Sequence, residues 1–314
     1  MTILHICAGW EKSNGAANIA RMVAGEQETA GHSVSYKIWA GIKELRAADE
    51  VWIHCAWKPC LWWAALWAKR YRWMPEASYD PVRLGYHGWK KRLAGPIERF
   101  FLRRADVVVA TCQAEAEWIR KYEPRVKKIE VTDVKRFFRL GDCGIGRLGD
   151  CGIGRHVSKS YNPTIPQFYN CQMQKMEDRA LHLLYLGRRH PLKGVEYLES
   201  AVAEIVSECR LSAVECPKSS PVELRVVSNA FGEEKERVWE WCDVLVLPTL
   251  SENFGLVVAE ALERGKRVIT TDGAPAWDDV KDYGGRLLYL RGYRDGTSEV
   301  RVRLLKEAIG RLCK

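Results

Sequence analysis

Leu247-Pro-Thr-Leu-Ser-Glu-Asn-Phe-Gly-Leu-Val-Val-Ala-Glu-Ala261 changes character twice within one short stretch. The apolar run Val244–Leu247 predicts a buried strand, Ser251-Glu-Asn253 a polar turn, and the apolar residues from Phe254 a helix. The first N–H groups of such a helix have no intrahelical partner and its dipole is positive there, so it can hold a phosphate. Gly255 lets a ligand come close to the backbone. Glu252 can accept hydrogen bonds from sugar hydroxyls, and Glu260, about two turns on, can take a second hydroxylated group such as a ribose. A plainer reading makes Ser251 or Asn253 a helix cap, Glu252 a charge favouring the helix start, and Glu260 a solvated surface group.

The same strand–turn–helix rhythm extends in both directions. Leu181–Leu186 predicts a strand that runs into Gly187-Arg-Arg-His-Pro-Leu-Lys-Gly194. Arg188 and Arg189 offer planar forks of donors and Lys193 a compact charge, a set suited to a diphosphate. Strands are expected near 224–227 and 268–270, and helices over 232–240, 254–264 and 299–312, with Gly265 as a helix C-cap. In the first half, strands are expected at 3–7, from 31–36, at 51–54 and at 107–110. Helices are expected over 18–28, 59–70, 94–104 and 115–121, and a loop with Gly9 and Gly15 follows the first strand. Alternating strands and helices imply parallel sheets, whose ligands lie beyond the carboxyl ends of the strands.

With 314 residues, 47% of them hydrophobic, the chain has room for two such units. The expected division is 1–138, a linker at 139–179, a second domain at 180–298 and a terminal helix at 299–314. The linker carries Arg139-Leu-Gly-Asp-Cys-Gly-Ile-Gly146 repeated without change over 147–154, too few copies for a solenoid, and is expected to be flexible.

Charge is uneven. Residues 1–139 hold 24 Lys and Arg against 15 Asp and Glu, whereas residues 140–314 hold 25 of each, so the whole excess of +9 sits in the first half. Within 69–104 the balance is 10 basic to 3 acidic, and seven tryptophans (52, 57, 62, 63, 67, 73 and 89) fall nearby. That mixture suits an anionic lipid surface, or a core in which most of the tryptophans are packed. No nucleic-acid motif accompanies it. No apolar run approaches the roughly 20 residues that span a bilayer, and Met1–Ala8 has neither a basic leader nor a cleavage site, so a cytoplasmic protein is expected. The eleven cysteines are scattered without C-x-x-C, which disfavours zinc and disulfide frameworks.

Ser251-Glu-Asn-Phe-Gly-Leu-Val-Val-Ala-Glu260 resembles the E-x7-E signature of retaining GT-B glycosyltransferases of family 4, and Gly187-Arg-Arg-His-Pro-Leu-Lys193 resembles that family's G-R-x-x-P-x-K loop. The loop at Gly15-Ala-Ala17 and the segments Lys90-Lys-Arg-Leu93, Arg104-Ala-Asp-Val107 and Ala110-Thr-Cys112 are similar to the family's first domain. The resemblance implies an α/β GT-B fold, two Rossmann-like parallel-sheet domains facing across a cleft. It implies that Arg188 and Lys193 neutralise the donor's pyrophosphate and that Glu252 hydrogen-bonds the donor sugar. Asn253, Phe254, Gly255 and Leu256 would present backbone groups, Glu260 would hold the ribose, and the loop at Gly15 would close over the donor. No D-x-D occurs and no divalent metal or other cofactor is expected, because protein cations and a helix N-terminus stabilise the departing phosphate.

One position departs from the pattern. Relatives place Pro-His-Gly ahead of the basic helix, with the histidine toward the donor sugar; here the matching residues are Pro75-Glu-Ala77. Glu76 and His87 are therefore the acceptor-side candidates, and Glu76 as a carboxylate would bring negative charge near the phosphates. The expected activity is that of a retaining, hexosyltransferase-type enzyme. It would move a sugar from a nucleoside diphosphate to a glycan or lipid-linked acceptor on the inner membrane face, in surface polysaccharide or lipopolysaccharide assembly. The alternatives are a sugar-nucleotide epimerase or phosphorylase of the same fold, and a non-catalytic relative that binds membrane or polymer.

Overall fold

The computed structural model describes residues 1–9, 15–86, 88–138, 180–211, 222–228, 230–278 and 285–313. His87 and the repeated octapeptide, with the rest of 139–179, lie outside the described residues.

Thr2–Cys7 (β1) is buried at every position after its first residue, the mark of a strand covered on both faces. It is followed by Gly15–Thr29 (α1), Ser33–Lys37 (β2), Ile42–Ala47 (α2), Glu50–His54 (β3), Pro59–Trp67 (α3) and Tyr71–Met74 (β4). Pro81–Gly85 (α4), Gly88–Arg104 (α5), Val107–Ala110 (β5), Gln113–Tyr122 (α6) and Ile129–Val131 (β6) complete the series. The six strands form one parallel sheet in the order β2-β1-β3-β4-β5-β6. Its core joins Ile6, Val51, Ile53, Trp73 and Val108 to Leu61 of α3 and Leu102 of α5. Trp57, Trp62, Trp63 and Trp67 pack against that core, so most of the tryptophan cluster is structural.

The second sheet is built from Leu181–Leu186 (β7), Val222–Val227 (β8), Val244–Leu247 (β9), Arg267–Thr271 (β10) and Leu287–Leu290 (β11). All its pairings are parallel, in the order β11-β10-β9-β7-β8. Val195–Leu211 (α7), Gly232–Trp241 (α8), Leu256–Glu263 (α9) and Ser298–Leu312 (α10) accompany it. Lys306 of α10 binds Glu204, 3.2 Å away, and Glu208, both on α7.

The sequence reading carries the third helix to residue 70, but the helix ends at Trp67 and Tyr71–Met74 enters the sheet. β6 and β11 are likewise strands without a sequence expectation. The chain forms two compact units. The first contains Met1–Phe138 together with Ser251–Leu256 and Pro275–Asp279, and the second contains the remainder.

Candidate functional site

In the second sheet the chain leaves β7 toward β8 on one side, then returns to place β9 on the other. The carboxyl ends of β7 and β9 therefore flank the topological switch point, where an open parallel sheet leaves a crevice for a ligand. Both sequence motifs of this half follow those two strands.

After β7, Tyr185 donates its hydroxyl to the Arg188 carbonyl at 2.9 Å. The His190 ring accepts the Leu192 N–H at 3.2 Å and caps a 3-10 turn over Pro191–Lys193. Arg189 is tied to both carboxylate oxygens of Glu199 on α7. Arg188 is exposed and has no carboxylate partner among the described residues. The Leu192 carbonyl accepts the Leu250 N–H (2.9 Å) and the Thr249 hydroxyl (3.0 Å), so the Lys193 loop is bound directly to the turn after β9. Thr271 of β10 donates to the Thr249 carbonyl at 2.5 Å.

Two glycines make this closeness possible. A Cβ on Gly194, whose φ is +61°, would lie 2.2 Å from the Pro248 carbonyl oxygen, and one on Gly273 would lie 2.1 Å from the Thr249 oxygen. Neither distance is compatible with a side chain.

Ser251–Leu256 belongs to the first compact unit, and its contacts there are specific. Arg83 donates Nε–H to Ser251 Oγ at 2.8 Å, and Ser251 Oγ–H donates to Asp80. Asn253 lies 3.0 Å from the Thr111 hydroxyl through one end of its amide, while the other end is buried without a partner among the described residues. The Glu252 carboxylate is half-buried and accepts the Asn253 N–H at 3.2 Å. Phe254 is buried, stacks on Phe138, lies tilted against Trp277, and gives its carbonyl to Trp277 Nε1–H at 2.5 Å. That leaves N–H groups rather than this carbonyl to meet an anion. The helix begins at Leu256, two residues later than the sequence suggests, after Gly255 at φ +74°. On it, Glu260 lies 2.7 Å from Lys235 Nζ of α8, an ion-pair distance at an angle outside hydrogen-bond geometry.

In the first sheet the switch point falls between β1 and β3. Gly15 opens α1 after β1. Four non-glycine residues just beyond β3 and β4 have left-handed backbones: Cys55 (φ 71°), Trp57 (64°), Glu76 (57°) and Ala77 (57°). Such outliers persist only where their surroundings hold them. The Glu76 side chain is turned inward: it is 4% exposed and meets His54 Nδ1 at 3.2 Å. Behind it, His54 Nε2 meets His5 Nδ1 at 2.9 Å, and His5 Nε2 meets Gln27 Oε1 at 2.7 Å. Burial lowers the pKa of both histidines to about 3, so both rings are neutral. Desolvation, and then the nearby Glu115, raise Glu76 well above the usual carboxylate range.

Asp80, Arg83, Thr111, His5, His54 and Glu115 escaped the sequence reading. His5 gave one signal, a histidine inside the apolar run Ile3-Leu-His-Ile-Cys7. A hollow of about 1080 Å³ opens along α7 and α10, but none of the candidate residues line it.

The helix α5 has two faces. Gly95, Glu98, Phe101 and Leu102 are buried, while Trp89 (64% exposed), Leu93 (74%), Ile97 and Phe100 form a solvent-facing apolar stripe. Lys90, Arg92, Arg99 and Arg104 are exposed alongside it. Of the seven clustered tryptophans, Trp89 is the exposed one.

Residues 16–133 match the glycosyl transferase 4-like domain, and residues 180–291 match the glycosyl transferases group 1 domain. An uncharacterized 41.2 kDa protein in the cps region of Klebsiella pneumoniae is 24% identical over 201 residues, which is 62% of this chain and 50% of that protein. The chain thus spans about half the length of this curated relative. Among solved structures, it is similar to sucrose-phosphate synthase from Thermosynechococcus elongatus (TM-score 0.62, 14% identity, 98% of this chain and 89% of that one). It is also similar to WaaG, a glycosyltransferase of lipopolysaccharide biosynthesis (0.55, 12%, 99% and 90%), and to the lipopolysaccharide outer core galactosyltransferase WaaB (0.54, 15%, 100% and 92%).

Proposed function

Since the chain belongs to the group 1 glycosyltransferases, with the GT-B fold, we propose that it moves a hexose from a nucleoside diphosphate donor to a glycan or lipid-linked acceptor with retention of configuration. The observation that carries this reading is the pairing of the Gly187–Gly194 loop with the Pro248–Leu250 turn across the switch point of the second sheet. A diphosphate leaving group needs fixed positive charge where negative charge develops. Lys193 is held there by the carbonyl of its neighbour Leu192, and Arg188 is exposed on the same loop. These two cations take the role a divalent metal has in other transferases.

Glu252 and the free end of the Asn253 amide supply polar groups for the sugar, and Glu260 takes the ribose beside Lys235. The half-length relative in a cps region supports surface polysaccharide as the pathway. The stripe on α5 supports contact with an anionic membrane that would deliver a lipid-linked acceptor.

The test is transfer from a panel of nucleotide sugars to a lipid-linked saccharide pool, with the anomeric configuration of the product read by NMR. Lys193→Ala and Glu252→Gln should each lower kcat/KM by about a hundredfold, the scale of losing one charged transition-state contact. Consumption of donor without any acceptor would instead indicate an epimerase, and wild-type rates in both variants would refute the site.

A further inference from the structure

Four side chains of the first unit lie end to end: Gln27 on α1, His5 on β1, His54 at the end of β3, and Glu76 after β4. The two imidazoles are fully buried, with ring planes 17° apart. Each of the three junctions needs one hydrogen, and two neutral imidazoles bring two. The third comes either from Glu76 as an acid or from the Gln27 amide as a donor. In the second case every hydrogen bond reverses and Glu76 is a carboxylate.

The surroundings decide between these. Glu76 is faced by His54 and Cys55 from the end of β3, Cys7 from β1, Glu115 from α6 and Arg83 from α4. Among the described residues no cation binds its carboxyl: Arg83 donates to the Glu76 backbone carbonyl (3.3 Å) and to Ser251, and the Cys55 thiol is a weak donor 3.9 Å away. The neighbouring Glu115 accepts three hydrogens, from the Ala77 N–H (2.5 Å), the Thr111 N–H (2.7 Å) and the Thr111 hydroxyl (2.6 Å). Of two carboxyls in one buried region, the one held by three fixed donors takes the charge, and the one whose nearest polar neighbour is an imidazole nitrogen able to accept takes the proton.

We propose that Glu76 is a neutral acid whose O–H donates to His54 Nδ1 at the head of a one-way chain, His54 Nε2–H to His5 Nδ1 and His5 Nε2–H to Gln27 Oε1, and that it acts as a positioning residue for the Glu76–Ala77 turn and Arg83. The position then brings no negative charge toward a donor phosphate. Losing the proton would place a buried carboxylate beside Arg83 and draw that guanidinium from Ser251 Oγ, disturbing the start of the Ser251–Leu256 stretch. The part of the inference that concerns rate rests on the glycosyl-transfer reading; the direction of the chain does not.

The experiment is 15N NMR of the full chain with labelled histidine, His5 and His54 being assigned by loss of signal in His5→Gln and His54→Gln. Both rings should carry hydrogen on Nε2, and hydrogen on Nδ1 of either ring overturns the proposal whether or not the chain transfers sugar. In transfer assays Glu76→Ala should lower kcat about tenfold with little change in KM and retain its fold by circular dichroism. Glu76→Gln, whose amide donates to the same nitrogen, should recover to within about threefold of wild type, and the fall in rate at alkaline pH expected of wild type as Glu76 loses its proton should be absent. A Glu76→Gln variant as slow as Glu76→Ala also overturns it.

Discussion

Two adjacent arginines show how far a single residue's partners decide its availability. Arg188 and Arg189 offer the same chemistry, each a guanidinium in a loop after a buried strand, and only the family resemblance singles out Arg188. In the structure Arg189 is engaged by both oxygens of Glu199, while Arg188 is exposed without such a partner among the described residues. Only Arg188 can therefore meet a donor phosphate without first breaking a bidentate pair. Arg188→Ala should lower kcat/KM for the nucleotide sugar by about thirtyfold, and Arg189→Ala by less than threefold, in the same steady-state assay. The reverse ranking would mean that the Glu199 pair opens on binding. The engagement of Arg189 was not legible in the sequence, because Glu199 lies ten residues on and only the orientation of α7 brings it back. The column behind Glu76 was hidden for the same reason: its junctions join residues 49 and 22 positions apart. The motif loops were legible because their chemistry is local, with cations or carboxylates within a few residues of a strand end.

Among the elements, long periodic helices and apolar strands such as β5 and β9 were readable, whereas β4 and β6 were not. β4 spans Tyr71–Met74 and β6 only Ile129–Val131, and a charged residue breaks the apolar run of each; β4 is buried between β3 and β5, while β6 is the edge of the sheet and only partly covered. The helix α5 presents the opposite case, a strong pattern whose meaning needed the structure. Trp89, Leu93, Ile97 and Phe100 recur at helical spacing, which in a sequence reads as a core face, yet they point to solvent while Glu98 and Phe101 point inward. A basic helix with an exposed apolar stripe lies in a lipid interface at a gain that scales with buried apolar area and anionic charge. Replacing Trp89 and Leu93 together by Ser should weaken sedimentation with mixed zwitterionic and anionic phospholipid vesicles by at least tenfold, since each side chain contributes about 1.5–3 kcal/mol when fully buried. Transfer to a soluble acceptor should be retained. Binding that is equal for both proteins would remove α5 as the contact surface. Added salt should weaken the wild-type interaction as well, through screening of the flanking lysines and arginines.

At the scale of the whole molecule, the buried ionisable groups of the first unit set opposing pH dependences. An unfolded histidine takes up a proton below about pH 6.5, whereas His5 and His54 in the folded unit stay neutral down to about 3. The unfolded chain then binds more protons, and stability falls as pH falls through that window. Glu76 and Glu98 act the other way, because burial raises each above the ordinary carboxylate value of 4.5. Above 4.5 the folded chain keeps protons that the unfolded chain has lost, so these groups make stability fall as pH rises. Between 4.5 and 6.5 the two sets oppose one another and the net slope should be shallow. Below 4.5 these buried carboxyls are protonated in both states and no longer oppose the histidines, which contribute up to about 2.7 kcal/mol per pH unit for two protons until pH approaches 3. Urea midpoints followed by tryptophan fluorescence from pH 3.5 to 6.5 measure this directly. The double variant His5→Asn, His54→Asn should lose that share of the acid limb, keeping only the part due to paired surface carboxylates such as Glu130. An acid limb unchanged in the double variant would mean that the two rings are already protonated in the folded unit, and the one-way hydrogen chain to Glu76 would fall with it.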